Sequence, residues 1–109
     1  MISADAIRGY IDIMILSQLS QAPSYAYAMS KTINDVANGE YAIKQTTLYS
    51  ALKRLETTGQ VESFPGHSES GKPRTYYRIT DGGNETLVAK CTEWEQTKSV
   101  VDRFAKGVL

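Results

Sequence analysis

A chain of 109 residues in which twelve Lys and Arg balance twelve Asp and Glu, with 41% hydrophobic and 22% charged residues, has the composition of one globular domain, or a small domain with an appendage. No apolar run approaches the length that crosses a bilayer, and the start lacks the features of a secretory signal, so a cytoplasmic protein with no membrane contact is expected. The lone Cys91 and His67 form neither a disulfide nor a convincing metal site or catalytic pair; without a phosphate-binding glycine motif or a nucleophile elbow, neither an enzyme nor a metal or cofactor is expected.

The first periodic segment runs from about Ala4 to Leu19. Ile7, Ile11, Met14, Ile15 and Leu16, with Leu19 one turn on, give the broad apolar face of a buried helix. Pro23 and Ser24 end it. Ser24 is a candidate N-cap for a second helix to about Val36, with Tyr27, Ala28, Ile33 and Val36 expected inward, and Asn38-Gly39 marks the turn out. After Tyr41-Ala42-Ile43 a third helix starts at Gln45, where Leu48, Leu52 and Leu55 recur at helical spacing and Gly59 supplies the left-handed stop. Opposite its apolar stripe stand Gln45, Thr46, Tyr49, Ser50, Lys53 and Arg54. Hydrogen-bonding groups come first and cations later, as suits a helix that presents its start to base edges and its flank to phosphates.

Beyond Gly59 the period changes from helical to alternating. Val61, Ser63 and Phe64 begin a strand, Pro65 to Pro73 is a turn-forming tract, and Arg74 to Ile79 is a β-rich run, so together they predict a hairpin. Lys72 and Arg74 are placed at its tip, either along a phosphate backbone or simply in solvent. Thr80 is a candidate N-cap for a last helix that nothing interrupts before Gly107. Leu87, Cys91, Trp94, Lys98, Val101, Ala105 and Val108 alternate at four and three along it, with Val88, Val100 and Phe104 beside them. Such a helix outruns a three-helix core, so its distal apolar residues need a second surface, most simply the same helix of another subunit. Cys91, on that stripe, is expected to be a small buried hydrophobe.

A net charge of zero argues against a nucleic-acid partner, yet the charge is unevenly placed. From Ala42 to Arg78 six cations meet three carboxylates for a net of +3, against −2 before that stretch and −1 after it. The order of elements is mostly α with a small β hairpin. It describes a winged helix-turn-helix over residues 1–80 and a long C-terminal dimerisation helix over residues 81–109.

Gln45, Thr46 and Ser50 are expected nearest base edges with Thr47 beside them, Tyr49 and Lys53 on phosphates, and Lys72 and Arg74 on the flanking backbone or minor groove. Arg54 either pairs with Glu56 or finds a carboxylate elsewhere. Trp94 either stacks on a ligand or packs a subunit interface. Asp12, polar in an otherwise apolar helix, is expected to face the same space and pair with Lys98. The alternative to a DNA reader is a winged-helix protein-interaction module without DNA binding, and a third option is a sink for aromatic compounds.

Three ordered motifs resemble the PadR family of bacterial transcriptional regulators. They are Gly9-Tyr10-Ile11-Asp12-Ile13-Met14-Ile15-Leu16, then Thr47-Leu48-Tyr49-Ser50-Ala51-Leu52-Lys53-Arg54-Leu55-Glu56 with Gly59, then Tyr76-Tyr77-Arg78-Ile79-Thr80 with Gly83. The short chain with one C-terminal helix is similar to the compact subfamily, some of whose members bind flat aromatic drugs between paired tryptophans. The resemblance implies a homodimeric repressor of double-stranded operator DNA, relieved by a small aromatic effector at the dimer interface, with Trp94 where drug-responsive members place their indole. Two positions depart from the family. Ala26-Tyr27 replaces its usual Gly-Tyr, which a helical φ tolerates. Lys90 and Lys98 flank Trp94, so a neutral or anionic aromatic is expected rather than a cation.

Overall fold

A computed structural model describes residues Met1–Leu109. The hydroxyl of Ser3 accepts the Ala6 amide at 3.1 Å and caps α1 (Ala4–Ile7), and a 3-10 turn at Arg8–Tyr10 then leads into α2 (Ile11–Leu19). The single helix expected over residues 4–19 is thus two segments. Gly9, a weak helix former, sits at the change of pitch. The chain continues through β1 (Ser24–Tyr25), α3 (Ala26–Ala37), α4 (Gln45–Thr57), β2 (Val61–His67), β3 (Pro73–Ile79) and α5 (Asp81–Ala105).

The helix phase expected for α3 needs correction. Ser24 is no N-cap: it pairs with Tyr77 in the sheet, and Tyr25 pairs with Tyr76, so the helix starts at Ala26. That start turns Ala26, Met29, Ser30 and Ile33 inward and leaves Tyr27 and Val36 66% and 80% exposed. The constraint is long-range, and local periodicity does not contain it. Asn38 and Gly39, both at positive φ, end α3 as the Asn-Gly pair suggests.

The sheet is antiparallel in the order β1-β3-β2, with Val61 opposite Ile79 and His67 opposite Pro73. The strand β2 therefore runs through Pro65 and Gly66, and the turn tract shrinks to residues 68–72. Pro65 is tolerated because β2 is an edge strand. Gly66 is covered by the Tyr76 ring, which a Cβ there would strike. Gly71, at φ +85°, closes the loop.

The core lies among α2, α3 and α4. Ile15, Leu16, Met29, Leu48, Leu52, Leu55 and Val61 are its fully buried large side chains. The leucine stripe read from α4 is the one that is buried, and Gly59 at φ +78° ends the turn beyond it. At the junction with α5 the Thr80 hydroxyl accepts the Gly83 amide at 3.0 Å and donates to the Gly59 carbonyl at 2.6 Å, so it ties the end of α4 to the start of α5. Gly83 lets this joint close, because a Cβ there would collide with the Gln60 carbonyl and Ile79. Gly83→Ala is expected to destabilise the fold by about 1–3 kcal/mol, read as a lower thermal midpoint, since backbone must yield rather than a side-chain end. An unchanged midpoint would show that the α4–α5 joint is loose.

Past Leu87, α5 leaves the core. Gly83 is its one buried residue, and Val88, Trp94, Val100, Val101 and Phe104 are exposed. Cys91, expected buried, is exposed for the same reason. No helix is long and apolar enough to cross a membrane.

Candidate nucleic-acid interface

The buried stripe of α4 fixes what its other side shows. With Leu48, Ala51, Leu52 and Leu55 inward, the side chains of Thr46, Tyr49, Ser50 and Lys53 stand in solvent along one helix face. Lys53 has no carboxylate within ion-pair reach. Gln45 is exposed but tethered, its amide donating to the Ser30 hydroxyl of α3 at 3.2 Å. Thr47 is half-buried and lines a groove with Arg8, Ile11, Thr46 and Ser50. Four of the six α4 positions expected at DNA thus share an open surface, while Gln45 and Thr47 flank it.

Arg54 borders that surface, in a groove with Thr46 and Ser50, but its charge is already paired. Its guanidinium forks onto Asp12, with Nη1 to Oδ2 at 2.9 Å and Nη2 to Oδ1 at 2.6 Å, and Lys90 of α5 reaches the same carboxylate at 3.9 Å. The Asp12 carboxylate holds the guanidinium above its ordinary pKa. Asp12 is therefore a buried anchor shared by α2, α4 and α5, and its expected pairing with Lys98 is corrected: Lys98 instead meets Glu95 at 3.1 Å. The reason is position, since Asp12 sits on the side of α2 that faces α4 while Lys98 lies two helical turns beyond Lys90. Glu56, the other carboxylate considered for Arg54, accepts from the Ser63 hydroxyl and amide.

In the wing, Lys72 is exposed on the 68–72 loop, where its amide donates to the Ser68 hydroxyl at 3.1 Å. Arg74 is not at the tip. It stands inside β3 opposite Gly66, half-buried, with its guanidinium 3.8 Å from the centre of the Tyr25 ring. A cleft of about 600 Å³ opens between this strand and α4, lined by Tyr25, Tyr27, Tyr49, Arg74, Thr75 and Tyr77 among others. Burial is the main cause that pushes the Tyr77 phenol above its usual pKa. Tyr25, Tyr27 and Thr75 escaped the sequence reading. The alternation along β3 could have pointed to Thr75, but only the β1–β3 pairing brings the two tyrosines here.

Trp94, 37% exposed and no part of this cleft's lining, packs edge-on against Tyr10, ring centres 4.8 Å apart. With Thr97, Lys98, Val101, Asp102 and Ala105 it lines an open pocket of about 270 Å³. Lys98 Nζ is 5.9 Å from the indole centre. Lys98 is paired with Glu95, but Lys90 shares the one Asp12 carboxylate with Arg54, so the repulsion of a cationic ligand expected from the bare sequence is weakened at Lys98 alone.

A three-helix core that exposes one polar helix face beside a cationic hairpin defines the winged helix-turn-helix class of transcriptional regulators. Residues 15–89 match the transcriptional regulator PadR-like family, and the chain belongs to that family. A transcriptional regulator from Clostridium thermocellum is 50% identical and superposes with a TM-score of 0.87 over 94% of this chain and 99% of its own. A PadR family transcription regulator from Clostridium difficile is 35% identical, with a TM-score of 0.77 over 87% of this chain and 97% of its own. An uncharacterized protein from Lysinibacillus sphaericus is 35% identical over 108 residues, which is 99% of each chain.

Proposed function

We propose that this PadR-family regulator is a homodimeric repressor that binds double-stranded operator DNA and releases it when a small aromatic molecule occupies the subunit interface. Residues 1–80 carry the DNA contacts and residues 81–109 join the subunits. The observation that carries the proposal is the free face of α4, where Thr46, Tyr49, Ser50 and an uncompensated Lys53 stand in solvent and Tyr49 shares a cleft with Pro73 and Arg74 of the wing. Two such helices related by a twofold axis enter successive major grooves, and Gln45 and Thr47 bound the reading surface. The exposed apolar side of α5 supports the dimer, and the Tyr10–Trp94 pocket on it supports an effector at that interface.

Fluorescence polarisation with a duplex from the promoter of the protein's own gene, repeated at two salt concentrations, tests the DNA reading. Affinity is expected to fall by about 10³-fold or more between 50 and 200 mM salt if roughly six phosphates are contacted. Salt-independent or absent binding would favour a protein-interaction module. In the same assay the Trp94→Ala dimer is expected to keep its DNA affinity and lose release by neutral aromatic compounds. Release as in the wild type would return Trp94 to plain packing.

A further inference from the structure

Among the arginines, Arg8, Arg54 and Arg78 each hold a carboxylate, from Asp5, Asp12 and Glu62, and Arg103, which holds none, is exposed on α5. Arg74 holds none, although it is half-buried, and its one side-chain hydrogen bond is a long one to the Tyr76 hydroxyl at 3.5 Å. Partial burial removes water from a guanidinium, and without an anion that cost is offset only by the ring beneath it. The ring is Tyr25 at 3.8 Å, with Tyr76 at 5.9 Å and edge-on to Tyr25. The result is a guanidinium seated over an aromatic ring, with most of its five donors unused, at the wall of a cleft that no carboxylate lines.

We propose that this cleft seats a backbone phosphodiester of duplex DNA, with Arg74 as its clamp and Tyr25 as the platform that orients the clamp. The proposal rests on the DNA-binding reading above and names how the wing and α4 grip one strand together. A planar fork suits two phosphate oxygens, and the hydroxyls of Tyr27, Tyr49 and Thr75 around the same cleft add neutral donors. A cleft of about 600 Å³ is far larger than one free anion and fits a stretch of sugar-phosphate chain. Lys53 on α4 and Lys72 on the wing loop, both uncompensated, extend the positive track, as a polyanion needs and a single carboxylate ligand does not.

Because a phosphate seat ignores sequence, the test uses a duplex of arbitrary sequence at low salt, with the full chain. Arg74→Ala is expected to weaken binding about tenfold and to reduce the salt slope by about 0.9, the loss of one phosphate contact. Arg74→Lys, which keeps the charge but has no plane to lie on Tyr25, is expected to lose most of the same affinity. Tyr25→Leu removes the ring beneath the guanidinium and is expected to lose part of the affinity that Arg74→Ala loses, and to add nothing when combined with Arg74→Ala. Additive losses would overturn the platform. Thermal melting of each variant separates folding from binding, and the comparison of the double variant with Arg74→Ala keeps the platform testable whatever Tyr25→Leu does to β1. Wild-type affinity and slope in Arg74→Ala, or full rescue by Arg74→Lys, would overturn the clamp. In that case a Lys53→Ala loss with a flatter salt slope would leave the DNA reading standing, whereas a wild-type protein that shows no salt-dependent binding would remove both.

Discussion

Val101→Glu combined with Phe104→Glu is expected to convert the protein to a 12.0 kDa monomer in sedimentation and to lower its affinity for a twofold-symmetric operator by about 10²–10⁴-fold. Val101 and Phe104 are 57% and 82% exposed in the single chain, so the core does not depend on them and the variant folds. In the proposed dimer the same side chains are covered, each contributing on the order of 1.5–3 kcal/mol of apolar burial, and two carboxylates placed there by each subunit meet their symmetry mates without water. The loss on DNA is larger than the loss of any single contact, because two linked heads bind the second half-site at a high effective concentration and a lone head does not. Binding to one half-site should change little. A variant that still sediments as a dimer would place the subunit contact elsewhere, and one that keeps wild-type operator affinity as a monomer would overturn the bivalent mechanism.

Periodicity made the scaffold legible where the relevant forces are local. Leu48, Leu52 and Leu55 announce which side of α4 is buried, and that alone exposes Thr46, Tyr49, Ser50 and Lys53. Thr80 and Gly59 mark helix ends through their own chemistry, and the structure joins them by a hydrogen bond. What the sequence did not reveal depends on contacts between distant segments. The phase of α3 is set by Tyr25 pairing with Tyr76, and Tyr27 turns outward to the cleft as a result. Arg74 reads as a loop cation because Pro65 and Gly66 look like turn residues; edge-strand geometry and the covering Tyr76 ring make them strand, and Arg74 moves from the tip to the wall. Asp12 illustrates the same limit. Its oddity in an apolar helix was visible, but whether it met an effector helix or the third helix depended on a partner 42 residues away.

That partner gives the second large effect, and its size depends on which side of the pair is cut. The Asp12 side chain is 11% exposed and that of Arg54 is 54% exposed, so the two ends of one ion pair have unequal access to water. Arg54→Met removes both guanidinium bonds and leaves a carboxylate in the interior with only Lys90 at 3.9 Å, a loss expected to be about 2–4 kcal/mol in a denaturant or thermal titration. Asp12→Asn does the reverse. It frees a guanidinium that turns to solvent, while the amide oxygen still accepts one bond, so the expected loss is about 1 kcal/mol. The pair is worth less than its buried end suggests, since Arg54 is half in water and screened there. Combining the two changes should then cost less than their sum, because the stranded charge that makes Arg54→Met severe is absent once Asp12 is neutral. Equal losses for the two single variants, or simple additivity in the double, would mean that Lys90 and water already satisfy Asp12. The α2–α4–α5 anchor would then be electrostatically redundant, and the orientation of α4 would rest on its leucines alone.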